Sequence, residues 1–298
     1  MEHRIKQKKR KINIQRALAP YLFVFPNFII FFIFVVIPAA YGLYFSFTNY
    51  DGLSEEEFVG ITNYVKLFGD SDFWDTMLRT AIYSGIVVPT IYVLALGIAI
   101  LLIKEIRFKG IFRAIIYWPT MISFIVVGVT WKWIFGDTFG IINYLMELGG
   151  QKGIPWLSES FYATLVVIVA TLWSRIGFFM VIFISGLQSI PSEFYEAANI
   201  DGAKKWQMFT RITLPLLKPT SVMVIMLAII DSFKAYPLIV SLTGGGPGRA
   251  TTYLVQYIYR FGFEKNQLGY ASAMSVILFL IILITTSIQF KVNKGGEI

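Results

Sequence analysis

Long apolar runs separated by short polar segments are the main pattern of this chain. Each run has roughly the twenty residues that a helix needs to cross a bilayer, and none alternates as the strands of a membrane barrel do. In lipid, backbone amides must be bonded within the helix itself. The pattern therefore predicts an all-α integral membrane protein with six transmembrane helices. We place them at about residues 18–47, 80–103, 111–135, 161–187, 219–242 and 270–290.

The composition agrees with a membrane protein. Hydrophobic residues make up 56% of the 298 positions and charged residues 15%, whereas a soluble domain carries about 25% charged residues. There is no cysteine, and the single histidine is His3. A disulfide, a thiolate or histidine metal cluster and a Ser/His/Asp triad are therefore excluded within this chain. We expect no metal site and no bound cofactor.

The distribution of basic residues predicts the orientation. Seven Lys and Arg residues fall within the first sixteen positions, and nine more lie in three segments on the same side, 104–110, 188–218 and 291–298. The segments on the other side hold seven between them, and these segments are 48–79, 132–160 and 243–269. Loops rich in Lys and Arg stay in the cytoplasm. Both termini are therefore predicted to be cytoplasmic.

The basic tail, residues 1–17, also has the composition of a nucleic-acid-binding arm or of the start of a signal peptide. The apolar run from Leu18 to Phe47 is too long for a signal peptide, whose core has about 7–15 residues, and no small-residue cleavage site follows it. We interpret the tail as a cytoplasmic anchor, with no nucleic-acid partner. A single transmembrane domain, 18–290, and a cytoplasmic tail, 291–298, follow.

The predicted cytoplasmic loop 188–218 has the local signals of two short helices joined by a turn. Ser192 is the expected N-cap of the first helix. The Asp201-Gly202 pair predicts the turn, because glycine accepts a positive φ. The second helix is predicted from Ala203 to about Ile212, with Pro215 breaking it.

The same loop carries a longer motif. Glu196-Ala197-Ala198 is followed after three residues by Gly202, and after nine more by Ile212-Thr213-Leu214-Pro215. This spacing resembles the EAA loop of ABC importer permeases, whose fold is the type I importer fold. In that family the loop is a coupling helix that sits in a cleft of the ATPase subunit. The resemblance implies an ATPase-coupling set of Tyr195, Glu196, Ala197, Ala198, Asp201, Gly202, Ile212, Leu214 and Pro215.

Three further segments resemble the carbohydrate-type members of this family. They are Phe58-Val-Gly60-Ile-Thr-Asn63-Tyr64 with Phe73-Trp74, Thr243-Gly-Gly-Gly-Pro247 with Thr251-Thr252, and Tyr270-Ala-Ser-Ala-Met274. Together they cover most of the chain from residue 18. They favour one of the two permease subunits, the one that resembles the larger subunit of maltose-type transporters. This chain lacks the extra N-terminal helices and the large periplasmic insertion of that larger subunit.

The resemblance implies a function and a set of partners. The chain is expected to form half of the path for a sugar or oligosaccharide in a bacterial or archaeal plasma membrane. The implied partners are a homologous second permease, two ATPase subunits, an extracytoplasmic sugar-binding protein and membrane lipid. No G-x-x-x-x-G-K-[ST] sequence occurs. We therefore expect no enzyme activity in this chain, with ATP and Mg bound by the separate ATPase.

Arg175, Asp231 and Lys234 lie within the fourth and fifth predicted spans, where charges are costly and are usually functional. They either form a structural salt bridge or line the solute path. Asp231 and Lys234 are one helical turn apart and are predicted to pair with each other. Arg175 has no acidic neighbour on its own span, and we interpret it, with Ser174, as a residue of the path.

In maltose-type permeases, residues of the fourth and fifth spans hold the sugar midway through the membrane. The resemblance therefore implies a substrate path formed by Thr171, Ser174, Arg175, Phe178, Ser232 and Ala235. These identities differ from the maltose pattern, so the sugar is not specified. Trp131 and Trp133, near the outer end of the third span, are interpreted as interfacial belt residues rather than as stacking platforms.

Three other functions remain as alternatives. A secondary transporter or channel would suit six helices with buried charges, but no inverted repeat is evident. A membrane enzyme would need a nucleophile and a base that the spans do not offer. An ABC permease for amino acids or metal complexes is opposed only by the resemblance of the outer loops.

Overall fold

The computed structural model describes residues 14–104 and 107–292. These residues contain no β-strand, only an isolated bridge between Thr48 and Phe58, so the predicted all-α class is confirmed. The predicted tails, 1–17 and 291–298, lie mostly outside the described residues. The helices are α1 (Ile14–Phe31), α2 (Ile37–Phe45), α3 (Thr62–Phe68), α4 (Ser71–Ile103), α5 (Lys109–Tyr117), α6 (Phe124–Ile134), α7 (Ile141–Leu148), α8 (Ser160–Gln188), α9 (Ser192–Ile200), α10 (Lys205–Met208), α11 (Leu214–Leu216), α12 (Lys218–Phe233), α13 (Pro237–Leu242), α14 (Leu254–Tyr259) and α15 (Leu268–Val292).

Four helical stretches are long and apolar enough to cross a membrane. Two further pairs of helices meet this criterion only when each pair is taken together across a sharp bend. The described residues therefore hold four continuous candidate spans and two bent ones. The continuous stretches are Tyr21–Phe45, Ser71–Ile103, Ser160–Gln188 and Leu268–Lys291, and the bent pairs are Lys109–Met121 with Phe124–Ile134 and Lys205–Leu216 with Lys218–Phe233.

Helix α4 begins well before the predicted start at residue 80. The Asp70 side chain caps it by accepting a hydrogen bond from the Phe73 N–H at 3.2 Å, which satisfies one of the free amides of the first turn. The helix has 33 residues, more than the roughly 20 that a bilayer requires. Its polar first turns therefore extend beyond the apolar run from which the span was predicted.

The third predicted span, 111–135, is bent by 98° between α5 and α6. A 3₁₀ turn, Trp118–Met121, ends the first half, and extended backbone at Ile122 and Ser123 separates it from α6. Pro119 lies in that turn, where it has no N–H to continue an α-helix. The chain therefore changes direction inside the bundle.

The fifth predicted span, 219–242, is also interrupted. Helix α12 ends at Phe233, and the chain resumes as α13 at Pro237. Tyr236 has φ −144° and ψ −59°, outside the helical region, and it directly precedes Pro237 at the start of α13. The break at residues 234–236 frees backbone groups from helical hydrogen bonding beside the candidate site.

The buried core is formed mainly by α4, α8, α12 and α13. Tyr83, Phe179, Phe183 and Ile239 are each at most 1% exposed and belong to one cluster. Helix α13 packs on α6. The helix after the break in the fifth span therefore contacts the helix after the bend in the third span. The apolar stretch Tyr21–Phe45 has no buried residue in its most apolar window, which leaves its side chains available to lipid or to another subunit.

Gly177 allows α8 to pack directly on the bend of the third span. A Cβ at this position would overlap the carbonyl oxygen of Ile116 and lie 2.7 Å from the Cα of Tyr117. Both atoms belong to the backbone, so no side chain can move aside. We expect Gly177→Ala to lower stability by at least the ~1–3 kcal/mol that is typical of overpacking.

The measurement is the yield and thermal stability of detergent-purified protein. Gly85→Ala is the matched control, since its Cβ would meet nothing within 4 Å and alanine favours a helix. Equal stability of the two variants would contradict the packing that we describe between α8 and the bend.

Candidate functional site

A cavity of about 280 Å³ lies among α4, α8, α12 and α13, beside the break at residues 234–236. Thr171 and Arg175 reach it from the middle of α8, and Tyr83 reaches it from α4. Polar groups in an otherwise apolar bundle are uncommon and usually mark a pathway. The full lining is Tyr83, Val87, Ile91, Phe124, Thr171, Arg175, Phe179, Ala228, Asp231, Ser232, Lys234, Ala235, Tyr236, Pro237, Leu238 and Ile239.

An ion pair joins α8 to α12 at the wall of this cavity. A guanidinium nitrogen of Arg175 lies 2.5 Å from a carboxylate oxygen of Asp231, and the two side chains are 22% and 35% exposed. The guanidinium carbon also lies 4.7 Å from the centroid of the Phe124 ring and 5.9 Å from that of Phe178, within the range of a cation–π contact. The pair is therefore held by aromatic neighbours while both members remain accessible to the cavity.

The predicted pairing of Asp231 with Lys234 is wrong. Lys234 is the C-cap residue just after the end of α12 at Phe233, and it is exposed. Asp231 instead faces α8, where Arg175 occupies its carboxylate. The prediction treated α12 as continuing past Lys234, and it considered only partners for Asp231 on the same helix. Arg175 thus has both an acidic partner on α12 and a cavity beside it.

Two hydroxyl pairs tie the cavity wall to α4. The Tyr83 hydroxyl lies 2.9 Å from Thr171 Oγ1, and Ser84 Oγ lies 2.7 Å from Ser232 Oγ. Thr171 and Ser232 each donate their own hydrogen to a backbone carbonyl, at 2.8 Å. Each hydroxyl has one hydrogen, so Tyr83 and Ser84 are the donors in the two pairs.

The structure places four of the six predicted path residues at the cavity, namely Thr171, Arg175, Ser232 and Ala235. The other two do not line it. Ser174 is 1% exposed, and its Oγ donates to the Thr171 carbonyl at 2.9 Å. Phe178 contacts the Arg175 guanidinium, while its neighbour Phe179 lines the cavity.

Sequence reasoning missed four aromatic residues of the lining, Tyr83, Phe124, Phe179 and Tyr236. Tyr83 lies on α4, which had not been considered for the path. Phe124 begins α6, and Tyr236 precedes α13, so both are set by the two breaks in the third and fifth spans. Pro119 and Pro237 were the available signals for those breaks.

The predicted coupling loop forms two short helices around a glycine turn. Gly202 has φ +74°, in the left-handed region that favours glycine. The Ala203 N–H donates to the Ala198 carbonyl at 2.9 Å and the Gly202 N–H to the Asn199 carbonyl at 3.1 Å, which is a Schellman motif closing α9. The turn predicted at Asp201-Gly202 is therefore present.

Residues on both sides of this turn line a concave surface of about 350 Å³. Glu196 is exposed on α9, and no hydrogen bond or ion pair engages its side chain in the described part of the chain. Tyr195 is held through its hydroxyl, 2.9 Å from Thr213 Oγ1. The lining is Ala198, Asp201, Gly202, Ala203, Gln207, Met208, Arg211 and Ile212.

Two local predictions in this loop are wrong. Ser192 is the first residue of α9 and Pro191 its N-cap, with no side-chain capping bond, because proline fits the start of a helix. The second helix does not break at Pro215 but continues to Leu216 after a wide π-helical turn, Phe209–Thr213. The bend of 68° follows at Leu217.

The proline spacing explains that bend. Pro219 lacks the N–H that would donate to the carbonyl four residues earlier, so α11 and α12 are not joined by a regular turn.

The described residues 14–104 and 107–292 contain no group of three or more His, Cys, Asp or Glu that would hold a metal.

Comparison with known proteins places this chain in a family. Residues 71–295 match the model of the binding-protein-dependent transport system inner membrane component. The probable starch degradation products transport system permease protein AmyD of Thermoanaerobacterium thermosulfurigenes is 32% identical, over 93% of this chain and 94% of that protein. The sn-glycerol-3-phosphate transport system permease protein UgpA of Agrobacterium fabrum is 34% identical, over 95% and 97%.

A solved structure shares the fold. It is the crystal structure of a bacterial ABC transporter involved in the import of the acidic polysaccharide alginate. The match has a TM-score of 0.83 at 24% identity, over 94% of this chain and 96% of that chain. Its similarity agrees with the type I importer fold that the EAA spacing implied. The chain is a multi-pass protein of a bacterial or archaeal plasma membrane, and it belongs to the family of inner membrane components of binding-protein-dependent transport systems.

Proposed function

We propose that this chain is one of two permease subunits of an ATP-driven sugar importer, and that the cavity beside Arg175 is its part of the solute path. The observation that carries the proposal is an accessible ion pair in a cavity that hydroxyl side chains also line, at the middle of a lipid-embedded bundle. Transporter sites commonly lie near the bilayer midplane at interrupted helices. The break at residues 234–236 provides such an interruption.

The chemistry of the lining supports a carbohydrate as the solute. Carboxylate and guanidinium groups bond sugar hydroxyls, and the partly exposed rings of Phe124 and Tyr236 offer aromatic surface to a sugar ring. The names of AmyD and UgpA refer to starch degradation products and to a phosphorylated polyol. A sugar or sugar-derived polyol is therefore the proposed solute class.

Energy for transport is proposed to come from partner subunits. The chain has no phosphate-binding G-x-x-x-x-G-K-[ST] sequence, so ATP and Mg are assigned to two ATPase subunits. The concave surface around Gly202 is the proposed contact with one of them. A homologous permease would complete the path, and an extracytoplasmic binding protein would deliver the sugar.

The experiment is to purify the tagged chain in mild detergent together with its partners and to measure ATP hydrolysis after reconstitution. We expect recovery of a second permease and two ATPase subunits, with hydrolysis stimulated only by a binding protein loaded with its sugar. A panel of loaded binding proteins identifies that sugar. Recovery of this chain alone as a transport-competent homo-oligomer would contradict the proposal.

A further inference from the structure

The charges at the cavity wall do not balance. Among the described residues that line it, Arg175, Asp231 and Lys234 are the charged ones. Arg175 and Asp231 neutralise each other at 2.5 Å. Lys234 is exposed, and no ion pair or hydrogen bond engages its side chain in residues 14–104 and 107–292. Lys234 acts on the Asp231 carboxylate through space, but this one carboxylate faces two cations, so the three charges sum to one positive charge.

The helix termini at the cavity do not remove this charge. Helix α12 ends at Phe233, next to Lys234, and its C-terminus contributes about half a negative elementary charge. Helix α6 begins at Phe124, which also lines the cavity, and its N-terminus contributes about half a positive charge. These two contributions oppose each other, and the N-terminus of α13 at Pro237, which also lines the cavity, adds only to the positive side. The balance at the wall therefore stays positive.

We propose that the transported sugar carries an acidic group, a carboxylate, sulfonate or phosphate ester, and that Lys234 is its counter-charge. An unpaired cation inside a membrane protein is costly unless it meets an anion or water. Arg175 and Asp231 form a neutral unit suited to hydroxyl groups, which leaves the acidic group to Lys234. This inference rests on the proposed function of the cavity and adds the charge class of the solute.

A first experiment compares matched sugars in the reconstituted complex. Trigalacturonate and its carboxyl-reduced form, a neutral galactose trimer, differ only in their acidic groups, and glucose 6-phosphate and glucose form a second matched pair. We expect the sugar whose loaded binding protein stimulates ATP hydrolysis and uptake to be acidic. Transport of a neutral sugar would overturn this inference while leaving the proposed function intact.

A second experiment measures the charge of the cavity in this subunit alone. The chain has no cysteine, so Ala235→Cys places a single thiol at the lining. Its rates of modification by an anionic and a cationic methanethiosulfonate reagent are measured in the assembled complex, each normalised to a free thiol. We expect the anionic reagent to react at least about fivefold faster, since protein potentials reach several kT.

Variants at Lys234 test whether this residue causes the expected ratio between the anionic and cationic modification rates. Lys234→Arg should preserve the preference for the anionic reagent, and Lys234→Gln should bring the ratio close to one. A preference for the cationic reagent, or a ratio unchanged by Lys234→Gln, would overturn the inference. A thiol that reacts with neither reagent would contradict the proposed path itself, and the inference would fall with it.

Discussion

Replacing Gly202 by valine is expected to abolish transport while the protein still inserts into the membrane at a normal level. Gly202 has φ +74°, where a residue with a Cβ costs roughly 1–2 kcal/mol and a β-branched one is an outlier. The Schellman motif that joins α9 to α10 depends on this conformation. Valine would therefore change the angle between the two helices that we propose to contact the ATPase.

Gly202→Asn tests contact with a partner subunit without changing the shape of the turn. Asparagine tolerates the left-handed conformation, and a Cβ at Gly202 meets nothing within 4 Å in this chain. The turn should therefore survive in the isolated subunit. Because the loop is proposed to fill a cleft of the ATPase, we expect Gly202→Asn and Glu196→Lys to lose transport as well.

The matched control is Gly150→Asn. Gly150 has the same φ of +74° and the same open surroundings, but it lies in a predicted outer loop. This variant should transport normally in an uptake assay. Normal uptake by both Gly202→Asn and Glu196→Lys would mean that the loop does not contact the ATPase, and the coupling proposal would fail.

The candidate spans, four continuous and two bent, were predictable because apolar length is a property of sequence alone. Runs of about twenty apolar residues identify membrane helices whatever their neighbours are. The start of α4 was missed because Asp72 and Asp75 lie outside the apolar run, although Asp70 is an N-cap signal. Hydropathy therefore predicted the apolar part of α4, whereas the capping residue Asp70 marks where the helix begins.

The two breaks were only partly predictable. Pro119 and Pro237 are visible in the sequence, but Pro26 and Pro89 lie within helices that continue past them. Proline in a membrane helix is tolerated where neighbouring groups satisfy the freed carbonyl. Whether a proline bends the chain by 98° or not at all depends on packing, such as that of Gly177 on Ile116.

The ion pair depended on tertiary structure in the same way. Spacing within one helix favoured Asp231 with Lys234. Pro237 signals a break nearby, but it does not give the residue at which α12 ends. The register of α8 against α12 decides that Arg175 meets Asp231. The motif of the coupling loop, by contrast, is local, and its turn at Gly202 was predicted at the correct residue.

Filling the cavity should block transport without unfolding the protein. Ala235 lies at its wall, in the break between α12 and α13, and is partly exposed. An indole at this position would occupy much of the space of about 280 Å³. Because residues 234–236 are not helical, Ala235→Trp does not strain a helix. The concave surface around Gly202 is separate from the cavity, and its proposed contact with the ATPase should remain functional.

Val93→Trp is the matched control, since Val93 is 64% exposed on α4 and does not line the cavity. Both variants are reconstituted with the second permease, the ATPase subunits and the loaded binding protein. The decisive measurement is sugar uptake into proteoliposomes beside stimulated ATP hydrolysis. The proposed path predicts that Ala235→Trp hydrolyses ATP but takes up no more sugar than empty vesicles, while Val93→Trp transports normally. Undiminished uptake by Ala235→Trp would show that the sugar does not pass through this cavity.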